Sequence, residues 1–116
     1  QLGVIAYYDG LALIDVPSAV SRAVPFEVQV RTYGGGCVAK GDTEVEVSGM
    51  TAIVAPFDSF VVKLPPGRVC TDDLKHYQHT ASITFATAGA ATIIIRGRRE
   101  PGSEVVSINV PVQVRN

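Results

Sequence analysis

The sequence predicts an all-β fold, an antiparallel two-sheet sandwich of seven to nine strands, and three observations carry that prediction. Apolar and polar residues alternate with period two along much of the chain, which places successive side chains on opposite faces of a strand. Turn-forming residues interrupt the alternation at fairly even spacing. No segment keeps a 3.6-residue period between capping residues, so no long helix is expected.

Taken in order, Val4 to Tyr8 and Leu11 to Val16 are candidate first strands around the Asp9-Gly10 turn. Residues 1–10 are read as an N-terminal extension or first strand of a single domain over 1–116. Pro25 to Tyr33 gives the clearest alternation, with Phe26, Val28 and Val30 against Glu27, Gln29 and Arg31. Val45 and Val47 alternate with Glu44 and Glu46 in the next strand. Thr51 to Val54 and Ala91 to Arg96 are β-branched and more continuously apolar, which predicts deeper burial. Phe60 to Leu64 reads as a short edge strand ended by Pro65 and Pro66. Thr71 to Lys75 is the one stretch that fits a single helical turn. Ala81, Ile83 and Phe85 then alternate inward, and Val106 to Val114 repeats the pattern near the end.

Composition bounds the function. One core fits 116 residues, and 47% hydrophobic against 18% charged residues places the chain among folding domains rather than disordered ones. A formal charge of -1 supplies no field to draw in nucleic acid. No apolar run reaches the roughly 20 residues of a membrane-spanning helix, so no membrane insertion by these residues is expected. The chain begins at Gln1, which leaves room for a preceding signal or lipid anchor.

VPFEVQVRTYG at Val24 to Gly34 and FATAGAATIIIRGRR at Phe85 to Arg99, with Asp15-Val16-Pro17 before them, resemble bacterial Ig-like, or fibronectin-III-like, domains of secreted and surface lipoproteins. The resemblance covers residues 11 to 115 in outline, and its motifs are those of packing and turns. It implies an Ig-like sandwich in an extracytoplasmic, cell-envelope setting, acting as spacer, adhesion or interaction module. The chain lacks Trp, has no Tyr placed for a tyrosine corner, and carries its cysteines outside the strand centres, so it departs from the antibody type.

In a sandwich of this topology the second and fifth strands are antiparallel neighbours. With Pro25 to Tyr33 as the second and Tyr77 to Phe85 as the fifth, Cys37 follows the end of one and Cys70 precedes the start of the other. A disulfide between them is therefore permitted, and it would imply an oxidising compartment. Two unrelated thiols are the alternative.

The stretch CTDDLKHYQHT from Cys70 gathers both histidines, two aspartates and a cysteine. Alternation carried back from Ala81 puts Tyr77 and His79 on the core side and His76 outward, so the two rings point opposite ways and do not share a metal without a bulge or a helical turn. Asp72 and Asp73 fit a turn. Asp72, Asp73, His76, His79 and Tyr33 form the candidate binding rim beside Cys37 and Cys70. Neither a nucleophile elbow nor a Walker-type phosphate loop is present, and Gly34 to Gly36 with Lys40 to Asp42 reads as a loop tied down by Cys37. The expectation is a monomeric, non-catalytic structural or interaction module with no cofactor and no metal, whose partner is another envelope protein or a glycan. The alternative is a small-ligand or metal-binding module that uses the loops around Cys37 and Cys70.

Overall fold

A computed structural model describes residues 1–60, 66–67, 69–70, 74–99 and 104–116. Every element among them is a strand: β1 Val4–Ile5, β2 Tyr7–Tyr8, β3 Leu11–Ala12, β4 Ile14–Asp15, β5 Ala19–Ser21, β6 Phe26–Gly34, β7 Val38–Ser48, β8 Thr51–Phe60, β9 Lys75–Ile83, β10 Gly89–Arg99 and β11 Glu104–Arg115. The expected all-β class is therefore present. The edge strand expected beyond Phe60 and the helical turn expected at Thr71 lie mostly outside the described residues.

Turn chemistry fixes several joints. Asp9 and Gly10 have φ of 52° and 79°, and Tyr8 faces Leu11 across them, as a two-residue type I′ hairpin requires. Gly49, at φ 60°, opens the tight turn between β7 and β8. The long strands follow the alternation: β6 buries Val28, Val30 and Thr32, and β9 buries His79, Ala81 and Ile83.

The antiparallel two-sheet expectation needs correction. Among the described residues nine strands join in one mixed sheet, with β2 and β3 forming a separate two-stranded ribbon. Three pairs are parallel: β1 with β10, β8 with β10, and β5 with β11. The cause of the continuity is β1, which pairs antiparallel with β6 through Val4 and Tyr33 and parallel with β10 through Val4 and Arg98. That short strand bridges what would otherwise be two layers. The hairpin of β7 and β8 supplies the parallel neighbour, because β8 returns alongside β10 in the same direction, with Thr51 to Val54 opposite Thr92 to Ile95.

The core gathers inward side chains from β1, β6, β8, β9, β10 and β11, and holds Ile5, Val28, Val30, Val54, Ile83, Phe85, Ile93, Ile95 and Val114. Phe85 stacks on Phe26 at a centroid distance of 5.9 Å. Lys40 to Asp42, read from sequence as loop, belongs to β7, where a register shift between Lys40 and Thr43 accommodates it. The extents of 59 × 27 × 18 Å describe an elongated body.

Candidate functional site

The end of the molecule where β6 stops and β9 starts gathers the candidate residues. β6 and β9 pair antiparallel through Gly34 and Lys75, so the chain leaving one strand lies beside the chain entering the other. Cys37 and Cys70 meet there as a disulfide, with Cα atoms 5.2 Å apart and 33 positions separating them in sequence. Cys37 is buried, whereas Cys70 is exposed. Tyr77 ties the same end to β7 by donating its hydroxyl to the Val38 carbonyl.

Two hollows open beside this joint. One, of about 260 Å³, is lined by Val4, Tyr33, Gly34, Val38, Asp58 and Arg98. The other, of about 410 Å³, is lined by Ile5, Tyr7, Tyr33, Leu74, His76 and Arg99. Tyr33 belongs to both, and its ring lies 6.2 Å from that of His76 because the two residues are cross-strand partners. The Arg99 guanidinium sits 5.1 Å from the Tyr7 ring centroid, a cation–π distance that holds the charge over an aromatic face. The surface thus offers ring faces for stacking and a cationic head for a negative group.

The sequence-based rim is split by the fold. Tyr33 and His76 reach the hollow, while Asp72 and Asp73 lie outside the described residues. His79 does not reach it. It faces the core as alternation predicts, but its place is the interior and not the rim, since it is fully buried. Its Nε2 lies 2.8 Å from Asp58 Oδ1, and its Nδ1 lies 2.8 Å from Thr43 Oγ1. With the hydrogen on Nε2 donated to the carboxylate, Nδ1 is left to accept from the Thr43 hydroxyl. Both ring nitrogens are engaged, so His76 and His79 do not combine as a metal pair, and no metal-ligand group occurs among the described residues.

Asp58 is the centre of that buried network. It is 4% exposed, and Thr32 donates its hydroxyl to Oδ2 at 2.6 Å. Burial pushes its pKa up, but hydrogen bonds from the His79 ring, the Thr32 hydroxyl and the Gly41 N–H together outweigh burial and hold it below the usual carboxylate value. Gly41 can approach so closely because it has no Cβ, which would fall 2.6 Å from the Phe57 carbonyl oxygen. Gly3 is required in the same way, since a Cβ there would meet Asp58 Oδ2 at 2.7 Å.

The order Thr43, His79, Asp58 is that of a hydroxyl, a base and an orienting carboxylate. Burial of His79 removes it from any substrate, and no buried side-chain polar atom lacks a partner among the described residues. The arrangement is a satisfied polar bolt between β6, β7, β8 and β9. Sequence reasoning passed over Asp58 and Thr32. The signal was present in the alternation itself, because Asp58 extends the inward series Ala52, Val54, Pro56 and Thr32 extends Val28, Val30. Tyr7 and Arg99 join the hollow only through the tertiary fold. No protein-family model, curated protein or solved structure matches this chain.

Proposed function

We propose that the chain is a non-catalytic interaction module of an extracytoplasmic protein, built as a variant of the Ig-like sandwich, which takes an acidic glycan at its disulfide-joined end. The observation that carries the reading is the convergence of Tyr7, Tyr33, His76 and Arg99 on one hollow of about 410 Å³. Aromatic faces stack on sugar rings and a guanidinium pairs bidentately with a carboxylate, so this set suits a uronate better than a neutral sugar. The Ig-like part of the reading is supported by the split first strand, with β4 on β6 and β5 on β11, and by the antiparallel β6–β9 pair whose shared end the two cysteines flank. The extracytoplasmic part is supported by the disulfide, which persists in oxidising compartments. No helix among the described residues is long and apolar enough to cross a membrane.

Calorimetry with oligogalacturonate and its methyl ester, at equal chain length, tests the proposal. The acidic oligomer binds, the ester binds at least about fivefold more weakly, and Arg99→Ala abolishes the difference. Equal affinity for the two oligomers, or an Arg99→Ala variant that still discriminates, refutes it.

A further inference from the structure

The margin of the sheet at β7 has a different character from the disulfide end. Among the described residues β7 pairs only with β8. Its first half is leaned on by β9, through Tyr77 on the Val38 carbonyl and His79 on Thr43. From Glu44 to Ser48 no such bond is made. In a two-strand ladder every second residue turns its N–H and C=O away from its neighbour, and no backbone partner among the described residues meets those groups here.

The side chains of this half are sorted by face. Val45 lies opposite Val54 and Val47 opposite Ala52, so both valines belong to the core-facing side. Val54 and Ala52 are 1% and 0% exposed, yet Val45 and Val47 are 38% and 43% exposed. The inner layer stops one strand short. On the outer face Glu44 and Glu46 lie opposite Ala55 and Ile53, beside a groove of about 540 Å³ lined also by Leu2, Phe57 and, as its one cation among the described residues, Arg96. Neither glutamate forms an ion pair among the described residues.

We propose that Thr43 to Ser48 of β7 is a strand-addition site for an extended segment of a partner protein in which apolar and basic residues alternate. The added strand satisfies the free backbone groups of β7. Its apolar side chains cover Val45 and Val47, and its lysines or arginines lay their stems over the outer groove and their charges against Glu44 and Glu46. A second copy of this chain is the poorer occupant. Antiparallel pairing of β7 with itself about Glu44, Val45 or Glu46 sets glutamate against glutamate, and like charges directly opposite destabilise a ladder. Lys40 and the register shift between Lys40 and Thr43 blunt the first half of the edge, whereas the second half is guarded by the charge of Glu44 and Glu46, which repels a like-charged strand and admits a basic one. From Thr43 to Ser48 the edge is free of lysine and proline.

The test uses the full chain and two synthetic nonapeptides, one alternating valine with lysine and one alternating valine with glutamate. Each is N-methylated on alternate amides along one edge so that it cannot stack on itself. In a ¹⁵N-labelled sample, the valine–lysine peptide should shift and saturate the amides of Thr43 to Ser48, and bind about tenfold more tightly than the valine–glutamate peptide. The Glu44→Lys, Glu46→Lys variant should reverse that preference while leaving the unperturbed spectrum of the core intact. Saturable shifts confined to the Arg98–Arg99 end, no saturation, or an unreversed preference overturn the proposal. So does concentration-dependent dimerisation that broadens the β7 amides, because the edge is then filled by a second copy.

Discussion

Replacing Asp58 by alanine removes the acceptor for two buried donors, the His79 ring and the Thr32 hydroxyl, and for the half-buried Gly41 N–H. Each buried donor left without a partner costs about 1–3 kcal/mol, with the upper end applying to a bond made to a charged acceptor such as this carboxylate. Part of that loss is recovered as the Thr32 hydroxyl rotates, so a destabilisation of about 4 kcal/mol is expected for Asp58→Ala. Against a total of roughly 5–15 kcal/mol for a domain, that is a large fraction. Urea unfolding followed by far-ultraviolet circular dichroism measures it, and a cycle with His79→Ala separates the pair from its surroundings. The double variant should be more stable than the sum of the single losses predicts, by about 2 kcal/mol, because one substitution already destroys what the other would break.

The same carboxylate gives the measurement a pH arm. Its folded-state pKa is held low, so as the pH falls the unfolded chain takes up the proton first. The stability from this group is therefore complete above about pH 4, the unfolded value, and is lost as the pH drops from there through the folded value. The urea midpoint of the unaltered chain should fall more steeply below about pH 4 than that of Asp58→Asn. An Asp58→Ala cost under about 1 kcal/mol, or losses for Asp58 and His79 that simply add, would refute the account of a buried cooperative network.

Two further outcomes are expected. Closing the loop between Cys37 and Cys70, 33 positions apart, contributes about 4 kcal/mol on the chain-entropy model, so Cys37→Ser with Cys70→Ser should lower stability by about that amount. Denatured but unreduced protein should titrate no free thiol, and two titratable thiols would contradict the bridge. Gly41→Ala forces a methyl to within 2.6 Å of the Phe57 carbonyl oxygen, where backbone must move and the Asp58 contact loosens. A loss of about 2 kcal/mol, or roughly 10 °C in Tm, should follow, and an unchanged thermal transition would show that β7 and β8 can separate there without cost.

The sequence by itself determined the all-β class and the facing of β6 and β9, whereas it only permitted the joining of the two cysteines, through an assumed strand topology. The class and the facing are consequences of side-chain alternation, a local property that a strand transmits along its length without reference to the fold. Hence Val28, Ala81 and Ile83 lie inside as the pattern requires, and His76 and His79 part to opposite faces. Strand partnership was not legible in the same way, because period two says which face is apolar and nothing about which strand lies alongside or in which direction it runs. The parallel contact of β8 with β10 and the bridge made by β1 arise from how the hairpin and the N-terminal segment pack. The buried site depended on that packing as well. The core-side position of His79 follows from its own strand, but its bonds to Asp58 on β8 and Thr43 on β7 exist only because three separate strands converge on one ring.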